Sequence, residues 1–326
     1  MEYTNNTPEP QANFPNNTPE PQAIFPNNKP APVPAKKKHI VLSIWSAIYP
    51  LLGFILLQII ISLIFVIILL IVSAVQIIPA GGSIPDVLTQ VNVTMTTNGI
   101  LILLPTLVVD LIVLRLASFL DSLDIERYPR TPVRHIRAQD YLVAILLGVF
   151  ANFLISAILS GFRLEQYFPV YTDLIESITM APLWMQLITV GIVAPIAEEY
   201  LMRALVLSRL RRFMPVWAAI LIQAILFGVI HMNVLQGIYA AVLGILLGYL
   251  YVKYNSLATC IVMHIVINSM STLLPSEFGA DWNPAVLGIV SALVVAACLV
   301  FLIKQKQRFL VQNEGTDEAA VVRVDD

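Results

Sequence analysis

Three ionisable side chains lie close together in an otherwise apolar stretch of the chain: Glu198, Glu199 and Arg203. Residues four apart share a helical face, so Glu199 and Arg203 are predicted to form an ion pair. Glu198 lies about 100° around the helix from Glu199, and one arginine cannot easily neutralise both carboxylates. The unpaired Glu198 suits a group that takes and returns a proton near neutral pH. A structural hydrogen bond to a neighbouring helix explains it equally well, and these residues alone do not decide between the two.

Two further groups of polar residues follow at helical spacing. Gln223, Phe227 and His231 recur at intervals of four, and His264 and Asn268 are also four apart, so each group lies on one helical face. Two of the chain's four histidines therefore fall in apolar segments. Two histidines, an unpaired glutamate and an asparagine are difficult to explain by packing alone.

The composition indicates that these residues lie inside a membrane. The chain is 58% hydrophobic and 12% charged, and its mean hydropathy is +0.80. Several apolar runs approach or exceed the ~20 residues that a helix needs to cross a bilayer, where a helix satisfies its own backbone polar groups. The predicted fold is an all-α polytopic membrane protein of about eight transmembrane helices. The apolar segments lie at 42–78, 97–119, 140–161, 183–207, 215–234, 235–252, 256–274 and 284–303.

Loop charges predict the orientation. Every loop lysine and arginine except Arg163 falls on the same set of alternate loops. Because cytoplasmic loops collect positive charge, both termini are predicted to be cytoplasmic. No basic stripe exists outside the short loops, so nucleic acid is not expected as a partner, whereas the lipid bilayer is.

The chain divides into four predicted regions. Residues 1–40 are rich in Pro and Asn, contain a near-repeat and are predicted to form a disordered cytoplasmic tail. Residues 41–180 hold the N-terminal transmembrane helices, and 181–275 the segment with the glutamates and histidines. Residues 276–326 hold the last transmembrane helix and a short cytoplasmic tail.

Three short motifs in this third region match a known pattern. Residues 198–203 read E-E-x-x-x-R, residues 227–231 read F-x-x-x-H and residues 264–268 read H-x-x-x-N. In this order on successive membrane helices, over about residues 183–275, the set resembles the CPBP family. That family includes the type II CAAX prenyl proteases and the bacterial bacteriocin-processing and bacteriocin-immunity (Abi) proteins.

The resemblance implies hydrolysis of a peptide bond within the membrane. Glu198 matches the glutamate that activates a water, and His231 would help to orient or deprotonate that water. His264 and Asn268 would donate hydrogen bonds to the developing oxyanion. Glu199, Arg203 and Phe227 would then have supporting structural roles.

A metal ion is left open, because the family is often classed with metalloproteases although a purely glutamate-dependent mechanism has also been proposed. A divalent ion such as zinc would draw its ligands from Glu198, His231 and His264, which lie on three helices. On straight helices His231 would lie roughly 10 Å nearer the outer face than the other two, so its helix is expected to be tilted or shifted.

Three functions compete. The leading hypothesis is an endopeptidase that acts on a membrane-associated peptide or protein. The alternative is a non-catalytic immunity or membrane scaffold protein of the same fold. A proton-coupled transporter is disfavoured, because the two halves of the membrane region show no convincing repeat.

The remaining polar residues of the apolar segments are assigned to structure. Asp110 and Arg115 are five apart, off the ideal spacing for one face, and are interpreted as packing or interfacial charges. Asn152 and Gln186 are predicted to make hydrogen bonds between helices.

Overall fold

A computed structural model describes residues 40–127, 136–274, 282–305, 308–312 and 319–323. The predicted tail, 1–40, lies outside the described residues apart from Ile40. Four helices come first: α1 (Ile40–Ile77), α2 (Ile84–Thr97), α3 (Ile100–Arg127) and α4 (Ala138–Gly161). A 3₁₀ turn (Leu164–Tyr167) and α5 (Pro169–Thr179) lead to α6 (Leu183–Leu210). The last helices are α7 (Val216–Ile230), α8 (Val234–Tyr254), α9 (Ala258–Leu273) and α10 (Pro284–Lys304). Strand β1 (Arg308–Gln312) pairs antiparallel with β2 (Ala319–Arg323).

The protein is an integral, multi-pass helical membrane protein, as predicted. Among the described residues, five helices are long and apolar enough to cross a membrane, or six if the bent pair of α5 and α6 forms one span. Along α1, Leu56, Ile59 and Leu63 are more than half exposed, as side chains that face lipid should be. Helices α7 and α9 are apolar but shorter. The count of eight crossings and the cytoplasmic termini therefore stay predictions.

Each of the eight apolar segments contains a helix, but the structure adds elements that hydropathy did not indicate. Helix α2 is a short amphipathic segment, and its first turn is closed by Ser83 and Asp86, whose carboxylate accepts from the Ser83 backbone N–H at 2.8 Å. Helix α5 meets α6 at a bend of 117°. The strands lie where the sequence predicted only a tail.

Both predicted interhelical hydrogen bonds are present. The Asn152 side chain of α4 donates to the Ile267 carbonyl of α9 at 3.2 Å. The Gln186 amide of α6 donates to the carbonyl of Thr179, the last residue of α5, at 3.3 Å. It also donates to the Ala181 carbonyl at 2.7 Å, and so satisfies backbone groups that the bend between α5 and α6 leaves free.

Helix α6 carries two π-helical stretches, Leu187–Val193 and Tyr200–Leu207, on either side of the regular segment Ala194–Glu199. Its C-terminal half is the most deeply buried part of the described chain, since residues 201–207 are all buried. Such π-bulges are rare and often occur at functional sites. Glu198 and Glu199 lie at the end of the regular segment between them.

Candidate active site

The π-helical stretch before the glutamates is tied to α9 by side chains. A π-bulge disturbs the i→i−4 ladder and leaves carbonyl groups in need of donors. The Asn268 amide donates to the Val190 carbonyl at 3.0 Å, and the Ser269 hydroxyl donates to the Gly191 carbonyl at 3.2 Å. These bonds fix α6 against α9 next to the glutamates. Asn268, expected to donate to an oxyanion, thus has a backbone partner, and its catalytic role stays a prediction.

Glu199 is the centre of a buried hydrogen-bonded chain. The expected ion pair is present, because Arg203 donates to Glu199 Oε1 at 2.8 Å and both side chains are 0% exposed. The same oxygen accepts from His264 Nδ1, also at 2.8 Å. An ionised carboxylate only accepts, so Nδ1 carries the hydrogen and Nε2 points the other way. Sequence reasoning assigned Glu199 to the ion pair alone and missed this contact with α9.

Glu198 lies on the other side of the same imidazole. Its Oε2 is 3.6 Å from His264 Nε2, which is longer than a hydrogen bond. That oxygen is buried and has no hydrogen-bond partner among the described residues. The Glu198 side chain is nevertheless 18% exposed, whereas Glu199 is fully buried. Of the two adjacent glutamates, Glu198 is therefore the one that a water or substrate can reach.

Phe227 links the two histidines. Its ring packs edge-to-face against both imidazoles, with centroids 4.9 Å from His231 and 5.8 Å from His264. The Arg203 guanidinium also lies 4.7 Å from the centroid of this ring. Gln223, one turn earlier on the same face, is fully buried, and neither of its amide atoms has a partner among the described residues.

His231 ends α7 and is held by its own backbone. Its Nδ1 lies 2.7 Å from the Phe227 carbonyl oxygen, which only accepts, so Nδ1 donates and Nε2 is left as an acceptor. His231 shares the Phe227 ring with His264, and the tilt or shift expected for its helix stays a prediction. Helix α7 has 15 residues, about 22 Å, and turns back at Met232, which has a φ of +55°. The bond to the Phe227 carbonyl holds the His231 imidazole against the Phe227 ring just before this turn.

This turn depends on two glycines. A Cβ at Gly237 would lie 2.8 Å from the Gly228 carbonyl oxygen, and a Cβ at Gly228 would clash with the Gly237 carbonyl oxygen. Only glycine allows the backbones of α7 and α8 to approach this closely. The side chain of Asn233 then begins α8 by accepting from the Gln236 N–H at 3.1 Å.

The candidate metal ligands do not form a site that suits an ion. Among the described residues, no group of three or more His, Cys, Asp and Glu side chains is arranged to hold a metal. The hydrogen bonds of Nδ1 in His231 and in His264 leave Nε2 of each imidazole as the possible ligand, but these nitrogens and the Glu198 carboxylate are not grouped around one ion position. We therefore derive no step through a metal.

Asp110 is a third carboxylate near this site. The sequence analysis interpreted it as a packing or interfacial charge. Asp110 of α3 is 3% exposed and lies within electrostatic range of Glu198. Its Oδ2 is buried and has no partner among the described residues, and Arg115 is exposed. The signal that could have identified it is an acid in an apolar run with no base three or four residues away.

The fold and this site together define a multi-pass membrane protein that collects carboxylates and imidazoles at the contact of α6, α7 and α9. Residues 180–270 match the family model described as Type II CAAX prenyl endopeptidase Rce1-like. The match confirms the resemblance predicted from the three motifs and indicates a protease-type enzyme. No curated protein and no solved structure matched the chain.

Proposed function

We propose that this protein is an intramembrane endopeptidase in which Glu198 activates the water that attacks a peptide bond. The observation that carries the proposal is the difference between the two adjacent glutamates. Glu199 is buried and bonded to both Arg203 and His264, whereas Glu198 is partly exposed and has an unpartnered oxygen 3.6 Å from His264. A free carboxylate beside an oriented imidazole is what general base catalysis requires.

The reaction proceeds in two proton transfers. Glu198 takes a proton from a water as the water oxygen bonds to the carbonyl carbon of the substrate. The carbon–nitrogen bond then breaks, and Glu198 returns the proton to the departing amine. One water is consumed, and the products are a carboxylic acid and an amine, which become a carboxylate and an ammonium ion when the remaining acid proton moves to the amine.

His264 acts next to this carboxylate. Glu199 accepts from Nδ1 and is held in place by Arg203, so the imidazole keeps one orientation with Nε2 directed toward Glu198. A second proton on Nε2 would be stabilised by the two carboxylates, and the imidazolium could then donate to the oxyanion. The arrangement resembles the buried aspartate that orients the histidine of serine proteases.

His231 and Asn268 complete the proposed set. The hydrogen bond to Phe227 leaves Nε2 of His231 as an acceptor, which suits the orientation of a water. Asn268 secures the π-helical stretch through Val190, and its second amide hydrogen can donate to an oxyanion. The substrate is a membrane-associated peptide or protein, and we propose that both termini of the protease face the cytoplasm.

The test is cleavage of a membrane-peptide library by purified protein in detergent. We expect the wild type and the control Glu126→Gln, an exposed position at the end of α3, to give the same products. Glu198→Gln should give none. Protein treated with a chelator should cleave at the wild-type rate, because the proposed steps use side chains alone.

Identical product profiles from folded wild type and Glu198→Gln would overturn the peptidase proposal. A non-catalytic immunity or scaffold protein of the same fold would then be the better interpretation.

A further inference from the structure

Asp110 is a buried acid with no basic residue three or four positions away on its own helix. It is 3% exposed, and α3 packs against the part of α6 that carries Glu198. Arg115, the basic residue nearest to it along α3, is exposed and five residues away. An acid inside a membrane span requires a partner or a function.

Glu198 lies on the segment of α6 against which α3 packs, close enough for its carboxylate to interact electrostatically with Asp110. Two carboxylates buried near each other do not both ionise readily, because each disfavours the charge on the other. Both also have a buried oxygen without a partner among the described residues, Oδ2 of Asp110 and Oε2 of Glu198. A single proton on Asp110 would remove the repulsion between the two carboxylates. It would also give both unpartnered oxygens a partner, since a neutral carboxyl group can donate toward an ionised one.

We propose that Asp110 is a positioning residue for Glu198: a neutral carboxyl group that donates a hydrogen bond toward the Glu198 carboxylate, directly or through one water. The bond keeps Glu198 ionised and turned toward His264 while it waits for substrate. This role rests on the proposed function of Glu198. It places a functional residue, Asp110, on α3, which lies outside the matched segment 180–270.

The kinetic test compares two substitutions that differ in hydrogen bonding. Asp110→Asn keeps a donor and cannot ionise, so kcat should stay within about threefold of the wild type. Asp110→Leu removes the donor, and kcat should fall by about tenfold to a hundredfold with little change in KM, as expected for loss of a hydrogen bond to a charged group. The control is Thr106→Val, one turn away, because the Thr106 hydroxyl donates to the Ile102 carbonyl of its own helix at 3.2 Å.

The spectroscopic test needs no substrate. Infrared difference spectra of wild type against Asp110→Asn at neutral pH should show the C=O band of one protonated carboxyl group. The band should shift in Glu198→Gln, because its hydrogen-bond acceptor changes, and should not shift in Glu126→Gln.

Three results would overturn the proposal: wild-type kcat in Asp110→Leu, equal loss of kcat in Asn and Leu variants, or a carboxyl band that Glu198→Gln leaves unmoved. If the wild type cleaves nothing, the peptidase proposal fails, while the infrared spectra still decide whether Asp110 is coupled to Glu198.

Discussion

At the scale of single residues, the site depends on one buried carboxylate with two partners. Glu199 neutralises Arg203 and at the same time orients His264. The first contact was predictable, because a spacing of four places both side chains on one face. The second was not, because it depends on how α6 and α9 cross, and local spacing carries no information on that crossing.

Substitutions of Arg203 and Glu199 can separate the two functions of the Glu199 carboxylate, which are to neutralise Arg203 and to orient His264. We expect Arg203→Met to lower the free energy of unfolding by about 3–5 kcal/mol, because a buried charge loses its partner. The double variant Glu199→Gln/Arg203→Met should recover part of that loss, since no unpaired charge remains. Cleavage should stay lost in the double variant, because His264 lacks its ionised acceptor. Unfolding in mixed detergent and the cleavage assay measure the two quantities.

The control for this cycle is Arg212→Gln. Arg212 pairs with Asp124 at 3.1 Å but is 32% exposed, so we expect a change below about 1 kcal/mol. If Arg212→Gln lowered the free energy of unfolding as much as Arg203→Met, burial would not explain the strength of the Arg203–Glu199 pair.

At the scale of elements, hydropathy located the helices but not their irregularities. The segment predicted at 284–303 is α10, and that at 140–161 is α4, each within two residues at either end. The π-helical stretch Leu187–Val193 of α6 has no local sequence pattern that distinguishes it, because its carbonyl groups bond to Asn268 and Ser269 on another helix. Helices α2 and α5 were missed because they are too short and too polar to register as spans.

The turn between α7 and α8 gives a prediction at this scale. We expect Gly237→Ala to destabilise the protein by about 1–3 kcal/mol, because its Cβ would overpack against Gly228. It should also reduce cleavage, because the turn positions His231. The matched control is Gly53→Ala in α1, where a Cβ meets nothing within 4 Å. Equal thermal stability of the two variants would show that the close approach is not needed.

At the scale of the whole molecule, the site is assembled from helices that are far apart in sequence. Asn152 of α4 bonds to α9, and Arg209 of α6 bonds to Asp124 of α3 at 2.7 Å and to the Ser46 carbonyl of α1 at 2.6 Å. The matched segment is therefore supported by helices on its N-terminal side. Composition alone was sufficient to predict a multi-pass membrane protein, because few soluble domains combine so much apolar content with so little charge.

Orientation is the prediction that belongs to this scale. Loop charges place Glu176 of α5 outside and Ser122 of α3 in the cytoplasm. In intact cells, we expect Glu176→Cys to react with a membrane-impermeant thiol reagent and Ser122→Cys to react only after the membrane is opened. The native Cys260 and Cys298 are buried and should contribute little labelling. The reverse pattern would invert the topology.

The central claim is that Glu198 acts on the water and not on substrate binding. The most direct measurement is kcat together with the Kd for a cleaved peptide, in wild type and in Glu198→Gln. We expect kcat to fall by about 10²–10⁴-fold, as for loss of a general base, with Kd changed by no more than about threefold. A folded Glu198→Gln protein that cleaves at the wild-type rate, or that loses only affinity, would contradict the claim.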